Sequence, residues 1–498
     1  MPSLSADNSG SCLVIVIGSL RLAGGLSMIL KPAMMRIPLR QALQLPARCA
    51  GTLDVPLGSR SSLQPLLPEK KTVRSSSRMA TATQPKAQRV EPPVELVQSA
   101  YVPSIRLYGP GPSNMPESVR QSLSAPLLGH LHPQFLNVTS SAYTRGSASQ
   151  KHCFQNLKQS ALLLSIMNDV RKGLQYIFQT QNKLTFALSG TGHAGMECAF
   201  VNLCERGEKV LIVKNGVWGV RAADLAKRLD LDVSVLDVPE GEAADLEVFS
   251  KTVKNLRPAA VFICHGESST GVAHPLQGFG EVCRDAGSLL IVDTVASLGG
   301  APFLCDDLLV DCVYSATQKC LNAPPGLAPM SFNNRAIERI KNRKNRVPSF
   351  YFDVLEIGNY WGCFEDPPRY HHTAPISTVY SLRAALANLV QEGIEASVQR
   401  HKDNSEFFYG LLESNGLELF VTKPEIRLAC LTTIKVPEDV AWKDVNDALM
   451  KKGVEISGGL GPTVGKVWRI GTFGENCQRD KVEKVGKMFV EEINSRRK

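Results

Sequence analysis

A regular alternation of short apolar segments and helical segments between residues 184 and 314 constrains the fold most strongly. Apolar, β-branched segments predict strands, and they cover 184–188, 209–213, 233–238, 259–264, 289–295 and 311–314. Segments with helical periodicity predict helices, and they cover 194–203, 220–229, 246–256 and 279–286. Strands without polar alternation are buried on both faces. The pattern therefore predicts an α/β fold with a mostly parallel sheet covered by helices.

Ligands of such sheets bind at the carboxyl ends of the strands, so the residues that follow each strand are the first candidates for chemistry. The sequence SGTGH at 189–193 follows the first predicted strand and opens a helix. Backbone N–H groups and the helix dipole attract an anion at such a turn, although a glycine-rich turn alone is as often purely structural. It does not fit the dinucleotide-binding fingerprint, and the chain has no Walker motif.

Three further residues follow or interrupt the next strands. Trp218 can stack on an aromatic ligand or simply fill the core. Asp293 lies in the apolar segment LLIVDTV, where a buried carboxylate needs a cationic or hydrogen-bonding partner. Lys319, taken alone, is most simply a surface lysine. In combination with the glycine-rich turn, these residues match pyridoxal 5′-phosphate, which needs a lysine amine and an acid paired with its ring nitrogen.

Eight ordered motifs resemble the class V branch of the fold-type I pyridoxal-phosphate aminotransferases. They are GPGPSN (109–114), SGTGH (189–193), NGVWG (215–219), HGESSTG (265–271), VDTVASLGG (292–300), SATQKCLNAPPG (315–326), YHHT (370–373) and GGLGPTVGKVWRIG (458–471). The resemblance runs from about Tyr101 to Val490, apart from an insert at about 138–165 that is foreign to the family. It implies a large cofactor-binding domain at 94–378 and a smaller α+β domain at 379–498.

The resemblance also implies a role for each matching residue. Lys319 would carry the cofactor covalently and move protons, and Asp293 would keep the ring nitrogen protonated. Arg469 would bind the substrate carboxylate with its bidentate fork. The other implied cofactor contacts are Thr191, Gly192, His193 and Gln318 at the phosphate, Trp218, Ser268 and Val295 around the ring, and Tyr370 and Thr373 from the partner subunit of a homodimer. No metal is implied.

The implied reaction moves the amino group of alanine or serine to glyoxylate, giving pyruvate or hydroxypyruvate and glycine. A first alternative is a transaminase of kynurenine or 3-hydroxykynurenine from the same branch, with a larger pocket. A second is a cysteine desulfurase or another lyase, but Cys363 and Cys430 lack the setting of a catalytic cysteine on a mobile loop. A third is a homologue that the insert has made inactive.

All of the formal net charge of +9 lies in the first 90 residues, which hold 12 basic and three acidic side chains. The charge-balanced remainder argues against nucleic-acid binding. The Arg- and Ser-rich, acid-poor beginning predicts a targeting segment over 1–93, with a tail that carries no address as the alternative. A mitochondrial matrix location is expected, or peroxisome or cytosol for a shorter form starting at Met79. No apolar run is long enough for a membrane span, and 13 scattered cysteines suggest reduced thiols.

Overall fold

The computed structural model describes residues 100–129, 132 and 166–497, and the backbone of three strands near the start of the chain. The rest of the predicted targeting segment 1–93 and the predicted insert 138–165 lie outside the described residues. The chain divides into two compact units, Met1–Val97 and Gln98–Lys498. In the first unit, an antiparallel sheet joins β1 (Ser3–Ala6), β2 (Cys12–Ile17) and β3 (Ala33–Pro38), with β2 in the middle.

The second unit contains the predicted α/β fold. Its strands are β4 (Arg106–Leu107), β5 (Leu184–Ser189), β6 (Lys209–Lys214), β7 (Asp232–Asp237), β8 (Ala260–Cys264), β9 (Gly266–Glu267), β10 (Val272–Ala273), β11 (Leu289–Asp293), β12 (Cys312–Tyr314), β13 (Leu327–Phe332), β14 (Leu431–Lys435), β15 (Val454–Glu455), β16 (Ser457–Gly458) and β17 (Val467–Gly471). Its α-helices are α1 (Glu117–Leu123), α2 (Ile166–Phe178), α3 (Gly192–Leu203), α4 (Val217–Arg228), α5 (Leu246–Leu256), α6 (Phe279–Asp285), α7 (Asn334–Lys341), α8 (Val354–Tyr360), α9 (Ile376–Glu392), α10 (Ile394–Glu413), α11 (Trp442–Lys451) and α12 (Arg479–Asn494).

A seven-stranded sheet forms the centre of this unit, in the order β5-β13-β12-β11-β8-β6-β7. The pairs along β12-β11-β8-β6-β7 are parallel, whereas β13 runs antiparallel to both of its neighbours. Every residue of β8 and β11 is buried, so helices and loops cover both faces of the sheet. The prediction of a mostly parallel sheet covered on both faces is therefore confirmed.

All six strands predicted from the sequence are present, with ends shifted by one or two residues. The strand β13 was not predicted, because its sequence LAPMSF has no β-branched residue and contains Pro329. The strand is buried throughout, and tertiary packing rather than local propensity holds it in the sheet. Since β13 is antiparallel, its carboxyl end lies at the edge opposite to the ends of β11 and β12.

Helix positions follow the apolar periodicity of the sequence. In α2, Val170, Leu174 and Ile177 are buried, and their spacing is that of the apolar face of an amphipathic helix. Asp245 is the N-cap of α5, because its side chain accepts a hydrogen bond from the backbone N–H of Val248. Among the described residues, no helix is both long and apolar enough to cross a membrane.

The C-terminal part carries a second hydrophobic core, with Trp468 and Phe489 at its centre. Its antiparallel sheet has the order β14-β17-β16, and α10, α11 and α12 pack together beside it. The predicted boundary at 378/379 falls inside α9, and residues 98–498 form one compact unit. The division into domains at 94–378 and 379–498 stays a prediction.

Candidate active site

The carboxyl ends of the parallel strands bring the predicted chemical groups together. Asp293 is the last residue of β11, where it pairs with Tyr314 at the end of β12 and with Cys264 at the end of β8. The turn that contains Lys319 follows β12, and the loop that contains Ser268 follows β8. Parallel alignment thus places residues distant in sequence at one edge of the sheet.

Asp293 is almost completely buried, with 4% of its surface exposed. One carboxylate oxygen accepts a hydrogen bond from the hydroxyl of Tyr314 at 2.5 Å, and the other accepts from the backbone N–H of Val295 at 2.7 Å. Burial raises the pKa of Asp293 to about 6, although these hydrogen bonds and the charge of Lys319 oppose the rise. The carboxylate is therefore fixed in orientation and still largely ionised near neutral pH.

Lys319 is the second buried charge of the site, and its surface is 7% exposed. Its amine donates a hydrogen bond to the carbonyl of Pro110 and lies 5.2 Å from the centre of the Phe473 ring. Burial is the main reason that its pKa is lowered to about 8, and the charge of Arg469 lowers it further. A larger fraction of the amine is thus neutral near neutral pH than in an exposed lysine, as a nucleophile and proton acceptor requires.

The Trp218 indole is half-buried at the start of α4. Its ring N–H donates to the hydroxyl of Ser268 at 2.8 Å, and the His193 ring packs edge-on against it at 5.5 Å between centroids. Burial and the charge of Arg221 lower the pKa of His193, which favours the neutral imidazole. The structure thus brings together Trp218 and Ser268, which were predicted to lie around the ring, and His193, which was predicted at the phosphate.

The glycine-rich turn is open for an anion. Thr191 stands at the N-cap of α3 without making a side-chain capping bond, and the first turn of α3 has no acidic residue. A Cβ atom added at Gly192 would lie 3.2 Å from Val295, so a larger residue would crowd this wall. Gln318 contributes a buried side-chain oxygen that has no hydrogen-bond partner among the described residues. The N–H groups at the start of α3 are suited to bind a phosphate, and the Gln318 amide can meet it only with its NH₂ group, because its oxygen is an acceptor.

Arg469 lies in β17 and is 6% exposed, which is unusual for an arginine. Its Nε donates to the carbonyl of Gly458 at 2.8 Å, and one terminal nitrogen donates to the carbonyl of Ser268 at 3.1 Å. Burial lowers its pKa to about 10. These two bonds fix the guanidinium plane and keep it beside Lys319.

Tyr370 and Thr373 are at the surface instead. Tyr370 is 55% exposed, and its hydroxyl lies 3.2 Å from the hydroxyl of Thr373, which is also exposed. Between them, His372 lies 2.6 Å from the hydroxyl of Ser189, next to the glycine-rich turn. The structure therefore places the YHHT segment near the phosphate turn but leaves these two side chains outside the buried cluster.

Three contributors to the site carry no chemical role in the sequence analysis. Tyr314 was predicted only as the end of a strand, yet it holds Asp293. Pro110 and Gly111 belong to a turn motif, yet a Cβ at Gly111 would lie 2.8 Å from the Lys319 amine. The position of Gly111, at φ +109°, is one that favours glycine. A glycine required by a distant lysine leaves no local signal in the sequence.

A family model described as aminotransferase class V matches residues 130–484. The chain belongs to the class V aminotransferase family. This class V aminotransferase is 44% identical to the alanine–glyoxylate aminotransferase of Drosophila melanogaster over 408 residues. The aligned residues make up 82% of the chain and 96% of that relative. It is 30% identical to the (S)-ureidoglycine–glyoxylate transaminase of Bacillus subtilis, over 75% of the chain and 86% of that relative.

Solved structures show the same fold as this class V aminotransferase. The alanine–glyoxylate aminotransferase of Nostoc sp. superposes with a TM-score of 0.72 at 38% identity, over 82% of the chain and 98% of that structure. The pyridoxamine–pyruvate aminotransferase of Mesorhizobium loti superposes with a TM-score of 0.69 at 25% identity, over 80% and 94%. The expected fold-type I architecture is thereby confirmed.

The cofactor of this class V aminotransferase is pyridoxal 5′-phosphate, and the residues present fit it. Asp293 supplies the buried acid for the ring nitrogen, and Lys319 supplies the amine. The N–H groups at the start of α3, next to Thr191 and Gly192, supply donors for the phosphate. In residues 100–129 and 166–497, no group of three or more His, Cys, Asp and Glu side chains could hold a metal ion. When bound, the cofactor withdraws electrons from the substrate Cα and carries the amino group between two substrates.

Proposed function

We propose that this aminotransferase moves the amino group of alanine, or of serine, to glyoxylate. The observation that carries the proposal is the buried trio Asp293, Lys319 and Arg469 at the end of the parallel sheet. Relatives named alanine–glyoxylate aminotransferase, 38–44% identical over about four fifths of the chain, support the choice of substrates.

The geometry assigns a task to each of these side chains. Arg469 binds the carboxylate shared by amino acid and 2-oxo acid, since its guanidinium is held by two backbone carbonyls and is already desolvated. Lys319, with a pKa of about 8, accepts a proton from the substrate Cα and later returns it. Asp293 stays ionised and holds the proton on the ring nitrogen. Burial of all three excludes water, which strengthens each charge interaction.

The alternative functions have less support. Relatives named for glyoxylate, 30–44% identical to the chain, support the glyoxylate reaction over the kynurenine alternative. A desulfurase needs a reactive thiolate, but burial raises the pKa of Cys363 to about 11 and that of Cys430 well above its usual range. An inactive homologue does not need the costly burial of a lysine and an acid whose charges act on each other, as those of Lys319 and Asp293 do.

The activity test is a spectroscopic half-reaction. Addition of L-alanine to the purified holoenzyme should remove the absorbance band of the lysine-bound cofactor and release pyruvate, and glyoxylate should restore the band and give glycine. A faster half-reaction with 3-hydroxykynurenine than with alanine would favour the kynurenine alternative. An unchanged band with either donor would show that the protein is not an active transaminase.

We also propose a homodimer in which Tyr370 and Thr373 reach the cofactor phosphate of the partner subunit. Their exposure, together with the exposed aromatic rings of Phe350 and Tyr351, supports this arrangement. Subunits carrying Lys319→Ala can be mixed with subunits carrying Tyr370→Ala. Restored activity in the mixed dimer would support a contribution from the partner, and activity no higher than in the parent variants would contradict it.

The location proposed for the enzyme is the mitochondrial matrix, with peroxisome or cytosol for a form starting at Met79. The basic, acid-poor composition of the first 90 residues supports the proposal. Fusion of residues 1–93 to a fluorescent protein should direct it to mitochondria, whereas a fusion of residues 79–93 should not. A cytosolic signal from the longer fusion would contradict the proposal.

A further inference from the structure

The helix that presents Trp218 lacks a capping residue of its own. The α4 helix starts after Gly216, which has no side chain to cap it, and its first turn has no acidic residue. Helices leave their first four N–H groups without intrahelical partners. Ser, Thr, Asp or Asn at this position would supply a side-chain acceptor, and glycine does not. The orientation of Trp218 therefore depends on partners supplied from elsewhere in the fold.

Those partners come from the loop after β8. The hydroxyl of Ser269 accepts a hydrogen bond from the backbone N–H of Val217 at 3.0 Å, and a carboxylate oxygen of Glu267 accepts from the backbone N–H of Trp218 at 3.1 Å. The other Glu267 oxygen accepts from the N–H and the hydroxyl of Ser269 at 2.9 and 2.6 Å. Together, Glu267 and Ser269 cap α4 from a different segment of the chain.

The carboxylate of Glu267 is held by hydrogen-bond donors in a buried site. Burial raises its pKa to about 7, and the hydrogen bonds from Ser269 and from the backbone of Trp218 oppose the rise. The Glu267 side chain is completely buried, and its three hydrogen-bond partners are all donors. A Cβ atom at Gly216 would lie 2.5 Å from the carboxylate carbon, so glycine is needed for this close approach. Two charged groups act on Glu267. The charge of Asp293 disfavours its negative charge, and Arg469 attracts it.

From this arrangement we infer that Glu267 is a positioning residue, which fixes the backbone of Trp218 so that the indole stays over the cofactor ring. The same loop also holds the other end of the side chain, because Ser268 accepts the hydrogen bond from the indole N–H at 2.8 Å. Trp218 is thus fixed at its backbone and at its ring by consecutive residues of one loop. The inference deepens the proposed function and rests on stacking of Trp218 on the cofactor.

A double-mutant cycle on cofactor binding separates this role from a general structural one. Glu267→Gln keeps the shape but replaces one acceptor oxygen with a donor and removes the charge that faces the helix start. Titration of the apoprotein with pyridoxal 5′-phosphate should give a dissociation constant about tenfold higher for Glu267→Gln than for the wild type, as loss of one hydrogen bond to a charged group implies. In the Trp218→Ala background, the same change should raise the constant less than about threefold.

The matched control is Asp245→Asn, which alters the acidic N-cap of α5 outside the site. It should lower the apoprotein melting temperature without changing the dissociation constant. An equal effect of Glu267→Gln with and without the Trp218 indole would overturn the inference, as would unchanged cofactor binding in Trp218→Ala itself. These constants do not depend on the amino donor, so a failure of the alanine–glyoxylate assay would remove the proposed function and leave this test intact.

Discussion

Removal of the Tyr314 hydroxyl should make the cofactor bind in a different pH range. In the wild type, this hydroxyl donates a 2.5 Å hydrogen bond to Asp293. Burial raises the pKa of the carboxylate to about 6, and this hydrogen bond is the largest of the effects that oppose the rise. A hydrogen bond to a charged group contributes about 1.5–3 kcal/mol. One pKa unit corresponds to about 1.36 kcal/mol, so Tyr314→Phe should raise the pKa of Asp293 by about one to two units.

The sign of the effect follows from which form of Asp293 binds. The ionised carboxylate pairs with the protonated ring nitrogen, so cofactor affinity is full above the pKa of Asp293 in the free protein and falls as the pH drops through it. The wild type should lose affinity below about pH 6, and Tyr314→Phe should already lose it below about pH 7 to 8.

The assay is titration of the apoprotein with cofactor between about pH 5 and pH 9, followed by absorbance. Tyr360→Phe is the matched control, because it removes a buried tyrosine hydroxyl outside the Asp293 contacts. If cofactor affinity falls at the same pH in the wild type and in Tyr314→Phe, the hydroxyl of Tyr314 does not hold Asp293 ionised.

Three further changes test other parts of the site. Gly111→Ala should displace the Lys319 amine and slow covalent attachment of the cofactor. Gly287→Ala is the control and should leave the attachment rate unchanged, because Gly287 also has a positive φ but open space around it. Equal attachment rates in the two variants would contradict the contact between Gly111 and Lys319. Arg469→Lys should raise the KM for alanine by about 10- to 100-fold, as loss of a charge-assisted bond implies, with the cofactor dissociation constant unchanged. The rate of cofactor attachment, measured by stopped-flow absorbance, should rise with pH and level off above about pH 8. Burial lowers the pKa of Lys319 to about 8, and only the neutral amine reacts. A pH profile of the rate with its midpoint near 10.5 would show an exposed amine instead.

The sequence predicted the parallel part of the sheet because buried parallel strands are continuously apolar, as in 260–264 and 289–293. The same rule that ligands bind beyond strand ends pointed to Asp293, Trp218 and Lys319. The antiparallel β13 escaped this reasoning, since Pro329 and the lack of β-branched residues hide a strand that only its neighbours stabilise.

The supporting contacts of the site could not be predicted, because they join residues far apart in the chain. Tyr314 meets Asp293 only through the parallel register of β11 and β12, and Glu267 caps α4 across about 50 residues of sequence. The burial of Arg469 comes from carbonyls of Gly458 and Ser268, which no local pattern reveals. Family resemblance located Arg469, and it alone pointed to Tyr370 and Thr373.

Lys319 is proposed as the amine that carries the cofactor and moves the proton. Borohydride reduction of the holoenzyme fixes the cofactor on whichever lysine holds it, and peptide mapping by mass spectrometry then identifies that residue. We expect a pyridoxyl group on the peptide containing Lys319 and no turnover in Lys319→Ala. A pyridoxyl group on any other lysine, or retained transamination in Lys319→Ala, would contradict it.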